Sequence, residues 1–355
     1  DIIVTPIDGR LKNVRLNADT LTAKVQLTAK ERSGLEVKRF ETNLRLHPQL
    51  MEFANMDLQL NNSRLGSYYA MRYTSLDAME DFVDSVQVTA MLRNSTVHTD
   101  DLGFFATELR GIGQIGTLSG DATGTISNFV VQNADLRTGN SRFTGTYKMK
   151  GLLDIDKTVI NVETGGSQFD LKDIEPWAPA LKDLRSTPLY NAGLLQYKGR
   201  FDGTINNFTT DGHLQTAAGG MDATVAVNMN GPAKGFDGTI RNAQLNGARL
   251  LGVPSMGMMK FNGKISSNGF SAATPIKMKG DVSAIEYGGY TYHDILADAV
   301  FVNESLSANL SSTDPYLMAN FTTVLDFRKK KQSYNARGAV AYANLHALQL
   351  TKDSV

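Results

Sequence analysis

Apolar and polar residues alternate one for one along most of this chain. In residues 118–129 (LSGDATGTISNF), Leu118, Gly120, Ala122, Gly124 and Ile126 fall on one face of an extended strand, and Ser119, Asp121, Thr123, Thr125 and Ser127 fall on the other. The order returns in residues 197–208 (YKGRFDGTINNF) and in part in 236–242 (FDGTIRN), so a building block is repeated. Similar alternation covers residues 21–29, LEVKRFETNLRL, MEFANMDLQL, VQVTAML, and then residues 221–229 and 276–284, with the turn-rich pieces ERSG, HPQ and NNSRLGS between the earlier ones. No helix alternates regularly with these strands, which argues against a βαβ enzyme and for an antiparallel meander. A strand and turn roughly every 12 to 15 residues predicts on the order of 20 to 25 strands.

The period changes twice. Leu102, Phe105, Ala106 and Leu109 are spaced as one face of a short helix that Asp101 can cap and Gly111 can end. SQFDLKDIEPWAPAL (167–181) repeats STVHTDDLGFFATEL (95–109) at a constant shift of 72 residues, Asp173 answering Asp101 and Trp177 answering Phe105. The divisions expected are 1–100, 101–172 with a helix and a glycine-rich strand, 173–245 as its second copy, and 246–355 as further hairpins. LDAMEDFVDSV, around residues 76 to 86, holds one more helical turn. Phe105 and Trp177 are large apolar residues on short elements of a sheet protein, where each either covers a sheet edge or sits over the apolar face as a cap.

A sheet of so many strands must curl, split or close. Its apolar face keeps inserting small residues (Gly120, Ala122, Gly124, Gly199, Gly203, Gly238, Gly263, Gly280), with Met149, Met221, Met229 and Met278 supplying bulk. Two sheets packed face to face favour branched bulk throughout, whereas small residues leave volume and methionine adapts to what fills it. Two architectures stay open: one sheet bent into a U-shaped trough, or serial β-sandwiches with glycines placed for curvature. In the trough, the lining includes Ile126, Phe143, Tyr147, Met149, Phe201, Ile205, Val225, Val227, Ile240, Ile265, Ile276, Met278 and Val282.

Charge and chemistry narrow the function. Across 355 residues Lys plus Arg and Asp plus Glu both number 36, so no overall field favours nucleic acid. The absence of cysteine excludes disulfides, thiolate metal sites and a cysteine nucleophile. No run approaches the ~18 apolar residues that span a bilayer. The start without Met and the end at LQLTKDSV read as a segment of a longer chain. His47, His98, His213, His293 and His346 show no metal-ligand spacing, and GIGQIG at Gly111 lacks the βαβ unit that a dinucleotide site needs. Asp154 and Asp156 share a face of a strand edge and form at best a weak cation site. No catalytic residue, metal or cofactor is expected, and the chain reads as a non-enzyme.

The units S-x-(V/F)-x-x-x-D-(L/I)-x-x-(F/W)-A at Ser95 and Ser167, the units G-x-(A/F)-x-G-T-I-x-N-F, AKERSGLEVKRFETNL, and the hairpins from Tyr290 through Asp314 into ANLHALQLTKDS carry a family resemblance over most of the chain. They resemble the periplasmic repeats of TamB-like proteins, the translocation and assembly module family within the wider AsmA-like group of Gram-negative bacteria. The resemblance implies an all-β, mainly antiparallel sheet curled into a β-taco-like groove with two short helices. It also implies a location in the periplasm as part of an inner-membrane-anchored protein. The implied role is a conduit in which the groove holds phospholipid acyl chains on their way between inner and outer membranes. Partners implied are phospholipid, an Omp85-type outer-membrane barrel, and the inner membrane through an N-terminal anchor outside this chain. The alternative is a structural scaffold, or an outer-membrane protein assembly factor without lipid transport.

Overall fold

The structure, a computed structural model, describes residues 4–104, 109–152, 154, 156–176, 181–182, 185, 190, 193–251, 253–326 and 333–351. Strands take 68% of the chain and helices 8%, so the fold is all-β. Two compact units divide it, Asp1–Phe169 and Asp170–Val355.

The first unit holds β1 (Val4–Asn17), β2 (Thr20–Glu31), β3 (Glu36–His47), β4 (Leu50–Gln59), β5 (Arg64–Leu65), β6 (Ser67–Arg72), β7 (Gln87–His98), β8 (Ile115–Thr125), β9 (Asn128–Thr138), β10 (Ser141–Lys150) and β11 (Val159–Phe169). The second holds β12 (Leu195–Thr204), β13 (Asn207–Thr216), β14 (Gly219–Asn228), β15 (Gly235–Asn246), β16 (Met256–Ser267), β17 (Ile276–Tyr287), β18 (Tyr290–Val302), β19 (Ser305–Asp314), β20 (Leu317–Asp326) and β21 (Ser333–Ala343). Within each unit nearly every strand pairs antiparallel with the next; the short β5 and β6 share the space between β4 and β7. Short turns explain the meander, since antiparallel neighbours need only a hairpin between them.

The repeated motif is a hairpin rather than one strand. β8 ends at Thr125 and β12 at Thr204, and the chain reverses over Ile126–Ser127 and Ile205–Asn206. The threonine hydroxyl holds each turn: Thr125 Oγ1 accepts the Asn128 N–H at 3.2 Å, and Thr204 Oγ1 accepts that of Asn207 at 3.0 Å. Local side-chain bonding of this kind ends a ladder that alternation alone would continue. In FDGTIRN no such turn forms, and Ile240 stays inside β15.

Bulges recur at asparagine. Asn13, Asn55, Asn94, Asn133 and Asn242 have φ between 47° and 53° and sit where their strands carry one residue more than the neighbour. Asparagine tolerates this left-handed conformation better than other L residues, and a bulge bends its strand. In four of the five the residue after it turns inward, Val14 after Asn13 being exposed. Met56, Ser95, Ala134 and Ala243 are all buried, Ala243 being 1% exposed.

In the first unit these kinks line up from strand to strand. Asn94–Ser95 of β7, Gly120 of β8, Asn133–Ala134 of β9, Gly145 of β10 and Gly166–Ser167 of β11 all stand at or beside a register shift. Gly145, at φ 131°, is required there because a Cβ would run into the Glu163 carbonyl oxygen. Aligned bulges and glycines form a crease along which the sheet curls. Ser95, Ala134 and Ser167 are buried along that line.

The helices are shorter and earlier than the periodicity predicts. A 3-10 turn (Leu76–Asp81) runs into α1 (Phe82–Ser85), α2 spans Thr99–Leu102, α3 Leu171–Ile174 and α4 Gly247–Leu251. The cap of α2 is His98, whose Nδ1 accepts the Asp100 N–H at 3.2 Å, and Asp170 caps α3 in the same way. Asp101 is inside the helix and buried, where its carboxylate accepts from the Asn62 backbone and side-chain amides. Gly111 does turn the chain, at φ 79°. Among the described residues no helix is long and apolar enough to cross a membrane.

Candidate functional site

Directly paired residues of neighbouring strands point to the same side of a sheet. In the first unit one such line runs Leu16, Leu21, Leu46, Met51, Met71, Val88, Gly124, Phe129, Met149 and Ile160. A parallel line runs Ala23, Leu44, Phe53, Tyr69, Ala90, Ala122, Val131, Tyr147 and Val162. No charged residue interrupts either. Aromatic contacts extend the second line, with Phe53 6.2 Å from Tyr69 and 5.5 Å from Phe40 of the next row between ring centroids.

The second unit repeats the arrangement. Phe208, Val227, Phe236, Ser267, Ile276, Phe301, Leu306 and Leu325 form one line across β13 to β20. Phe201, Thr210, Val225, Gly238, Ile265, Met278, Ala299 and Ala308 form the next, and Ala223, Ile240, Gly263, Gly280, Ala297, Leu310 and Phe321 the third. Phe201 and Phe208 stack at 4.6 Å where the hairpin begins.

Eleven of the thirteen expected lining residues lie on this face of their own unit. Val227 and Ile276 are in the first line of the second unit, Phe201, Val225, Ile265 and Met278 in the second, and Ile240 in the third; Val282 pairs with Phe261 and Ile295 beside it. Tyr147 and Met149 are in the lines of the first unit, and Phe143 pairs with Leu136, itself opposite Leu118. Ile126 and Ile205 do not belong to the face, because each occupies a hairpin turn. Phe105 and Trp177, the expected caps, lie outside the described residues. Asp154 and Asp156 sit in the turn after β10, where Lys157 Nζ pairs with Asp154 at 2.6 Å.

The face is half-buried rather than sealed. Val282 is buried at 7% exposure, and the other eleven strand and turn positions just named from Phe143 to Met278, with Ile126, are intermediate. Partial burial still desolvates the tyrosine hydroxyls, and it pushes the Tyr69 and Tyr147 phenols upward.

The glycines, however, do not leave open volume. Tyr197 lies over Gly199 and Gly212, and Phe261 lies over Gly263 and Gly280, so a Cβ at any of the four would meet a ring as well as facing backbone. Aromatic cover of a cross-strand glycine pair lets two strands approach and flattens the face locally. Tyr197 is held in place by its hydroxyl, which donates to the Arg200 carbonyl at 2.7 Å, and burial raises its phenol.

The opposite face is mainly polar, and many of its charges are paired. Arg93 and Asn133 meet Asp121, Arg137 and Arg142 meet Asp135, Arg241 meets Asp211 at 3.1 Å, and His213 and Asn242 meet Asp222. Hydrogen bonds from Arg137, then Arg142, hold the Asp135 carboxyl well below the usual carboxylate range. The pairing gives the sheet one wet and one dry side.

No family model matches the chain, and no curated protein matches its sequence. The two-faced sheet therefore carries the functional reading on its own geometry. Sequence alternation located the face but missed the bulges, whose signal is an asparagine inside an apolar run, after a polar residue in LKNVRL, LRNSTV, VQNADL and IRNAQL and after alanine in FANMDL.

Proposed function

We propose that the apolar face binds flexible hydrocarbon, and that the chain is a non-enzymatic lipid-conduit segment. The observation that supports it is the largely apolar, charge-free lines that cross strand after strand while remaining half-buried. Apolar surface of that extent is costly in water, at roughly 25 cal/mol per Å². An acyl chain, being long, thin and adaptable, matches a face made of alanine, methionine, leucine and aromatic edges. In this reading the cargo is phospholipid and the setting is the periplasm between two membranes. An inner-membrane anchor and an outer-membrane barrel of the Omp85 type are the partners that such a conduit would need.

The aromatic cover of the glycine pairs favours a second reading, a scaffold whose dry side is largely filled by its own side chains. Mass spectrometry of an organic extract of the purified protein separates the two. Phospholipid in stoichiometric amount is expected for the conduit, and its absence after expression in a lipid-rich envelope points to the scaffold.

A further inference from the structure

The second unit also has a channel on its wet side. A cavity of about 660 Å³ crosses β17 to β21, and its floor is the backbone of Gly280, Ala297, Leu310, Phe321 and Gly338, whose side chains belong to the apolar face. One wall is the row Lys279, Asp298, Asn309, Thr322 and Arg337, and the other the row Asp281, Leu296, Ser311 and Asn320. Alternation places both rows opposite the floor side chains, so the channel opens away from the hydrocarbon face.

Many charges on the wet side pair across strands, and several groups in the channel do not. Lys279 meets Asp298 at 3.4 Å and Thr322 donates to Asn309 at 2.8 Å. Among the described residues, Asp281, Ser311, Asn320 and Arg337 make no side-chain hydrogen bond or ion pair. Leu296, the apolar side chain in the two rows, is 62% exposed.

We propose that this channel binds a short extended peptide lying across the strands. Arg337 on β21 and Asp281 on β17 stand at its two ends, four inter-strand steps or roughly 19 Å apart. At about 3.3 Å per residue, that span fits a peptide of about six residues with its terminal carboxylate on Arg337 and its terminal amine near Asp281. Asn320 and Ser311 each donate and accept, as a peptide backbone requires, and Leu296 receives an apolar side chain. Oligosaccharide fits less well, because no aromatic ring faces into the channel to stack on a sugar. The proposal is independent of the lipid reading, since it uses the other side of the sheet.

The test is calorimetric titration of the whole chain with the hexapeptide Thr-Leu-Thr-Val-Thr-Leu carrying free termini. Binding should weaken about tenfold, or about 1.4 kcal/mol, in Arg337→Gln, in Leu296→Asp and with the acetylated, amidated peptide. Circular dichroism first confirms that both variants keep their β signal, as exposed positions allow. Lack of heat with the free peptide, or equal affinity in both variants, overturns the proposal. Heat on titration with maltohexaose, with none from the peptide, would overturn the proposal and assign the channel to glycans instead. Loss of lipid in an apolar-face variant with peptide binding intact would show the two sites failing separately.

Discussion

Ser95 and Ser167, 72 residues apart, make the same repair in the sheet. The Ser95 hydroxyl accepts the Gly66 N–H at 3.1 Å and donates to the Gly66 carbonyl at 2.9 Å; the Ser167 hydroxyl does so with Thr144 at 3.0 and 3.2 Å. Each stands at a bulge and is buried; the Thr144 amide and carbonyl and the Gly66 amide turn to the serine there, while the Gly66 carbonyl also accepts the Arg93 N–H at 3.0 Å. The duplicated motif is therefore a duplicated way of creasing a sheet.

Removing the Ser167 hydroxyl takes the partner from both the Thr144 N–H and its carbonyl, and removing that of Ser95 takes it from the Gly66 N–H, whose own carbonyl keeps the Arg93 N–H. Ser95→Ala and Ser167→Ala should each destabilise the first unit by about 1–3 kcal/mol, while Ser95→Thr loses less. Urea denaturation followed by tyrosine fluorescence measures this; unchanged midpoints would mean that water reaches the crease.

Gly280 faces Gly263 beneath the Phe261 ring, whose edge lies 2.8 Å from where a Cβ would be. Gly280→Val forces ring and strand apart and should cost about 1–3 kcal/mol by overpacking. Pairing it with Phe261→Ala should recover part of the loss, because the ring then no longer competes for the space. A double-mutant cycle on thermal stability reads the coupling.

Charge on the dry side distinguishes a filled face from an accessible one. Val227, half-buried between Phe208 and Phe236, is replaced in Val227→Asp, with Asn228→Asp next to it as the control on the wet side. A carboxylate that can reach water once hydrocarbon leaves should preserve the fold while bound lipid falls. Unfolding of Val227→Asp alone would favour the scaffold, and a variant that keeps both its melting temperature and its lipid would remove this face from the conduit.

Two groups predict opposite limbs of the stability profile. Hydrogen bonds from Arg185 and Tyr190 hold Glu175 down to about 2, below its unfolded value, so its contribution is complete above about pH 4.5 and is lost as pH falls towards 2. Burial, then the hydrogen bond to Asp314, pushes Tyr290 up to about 12, so its contribution is complete below about pH 10 and is lost as pH rises through 12. Glu175→Gln should flatten the acid limb and Tyr290→Phe the alkaline one in melting temperatures taken across pH. Tyrosinate absorbance that rises fully by pH 10 would contradict the second expectation.

Alternation by itself determined the strands, their number and which side of each is dry, because side chains of an extended backbone must alternate and only one side can leave water. The 72-residue repeat was legible for the same reason: Ser95 and Ser167, with the residues around them, keep their spacing. What tertiary structure decided were the points at which one residue changes sides. A bulge at Asn94 or Asn133 shifts the period by one, which in a sequence is indistinguishable from a lapse in alternation, and only the partner strand shows that the inward face continues. Ile126 and Ile205 fit the strand period yet sit in turns, because a threonine hydroxyl captured the next backbone N–H before the ladder did. The glycines read as empty space although Tyr197 and Phe261 stand two residues before Gly199 and Gly263 on the same strands; only the pairing shows that each ring also covers the glycine opposite, Gly212 or Gly280.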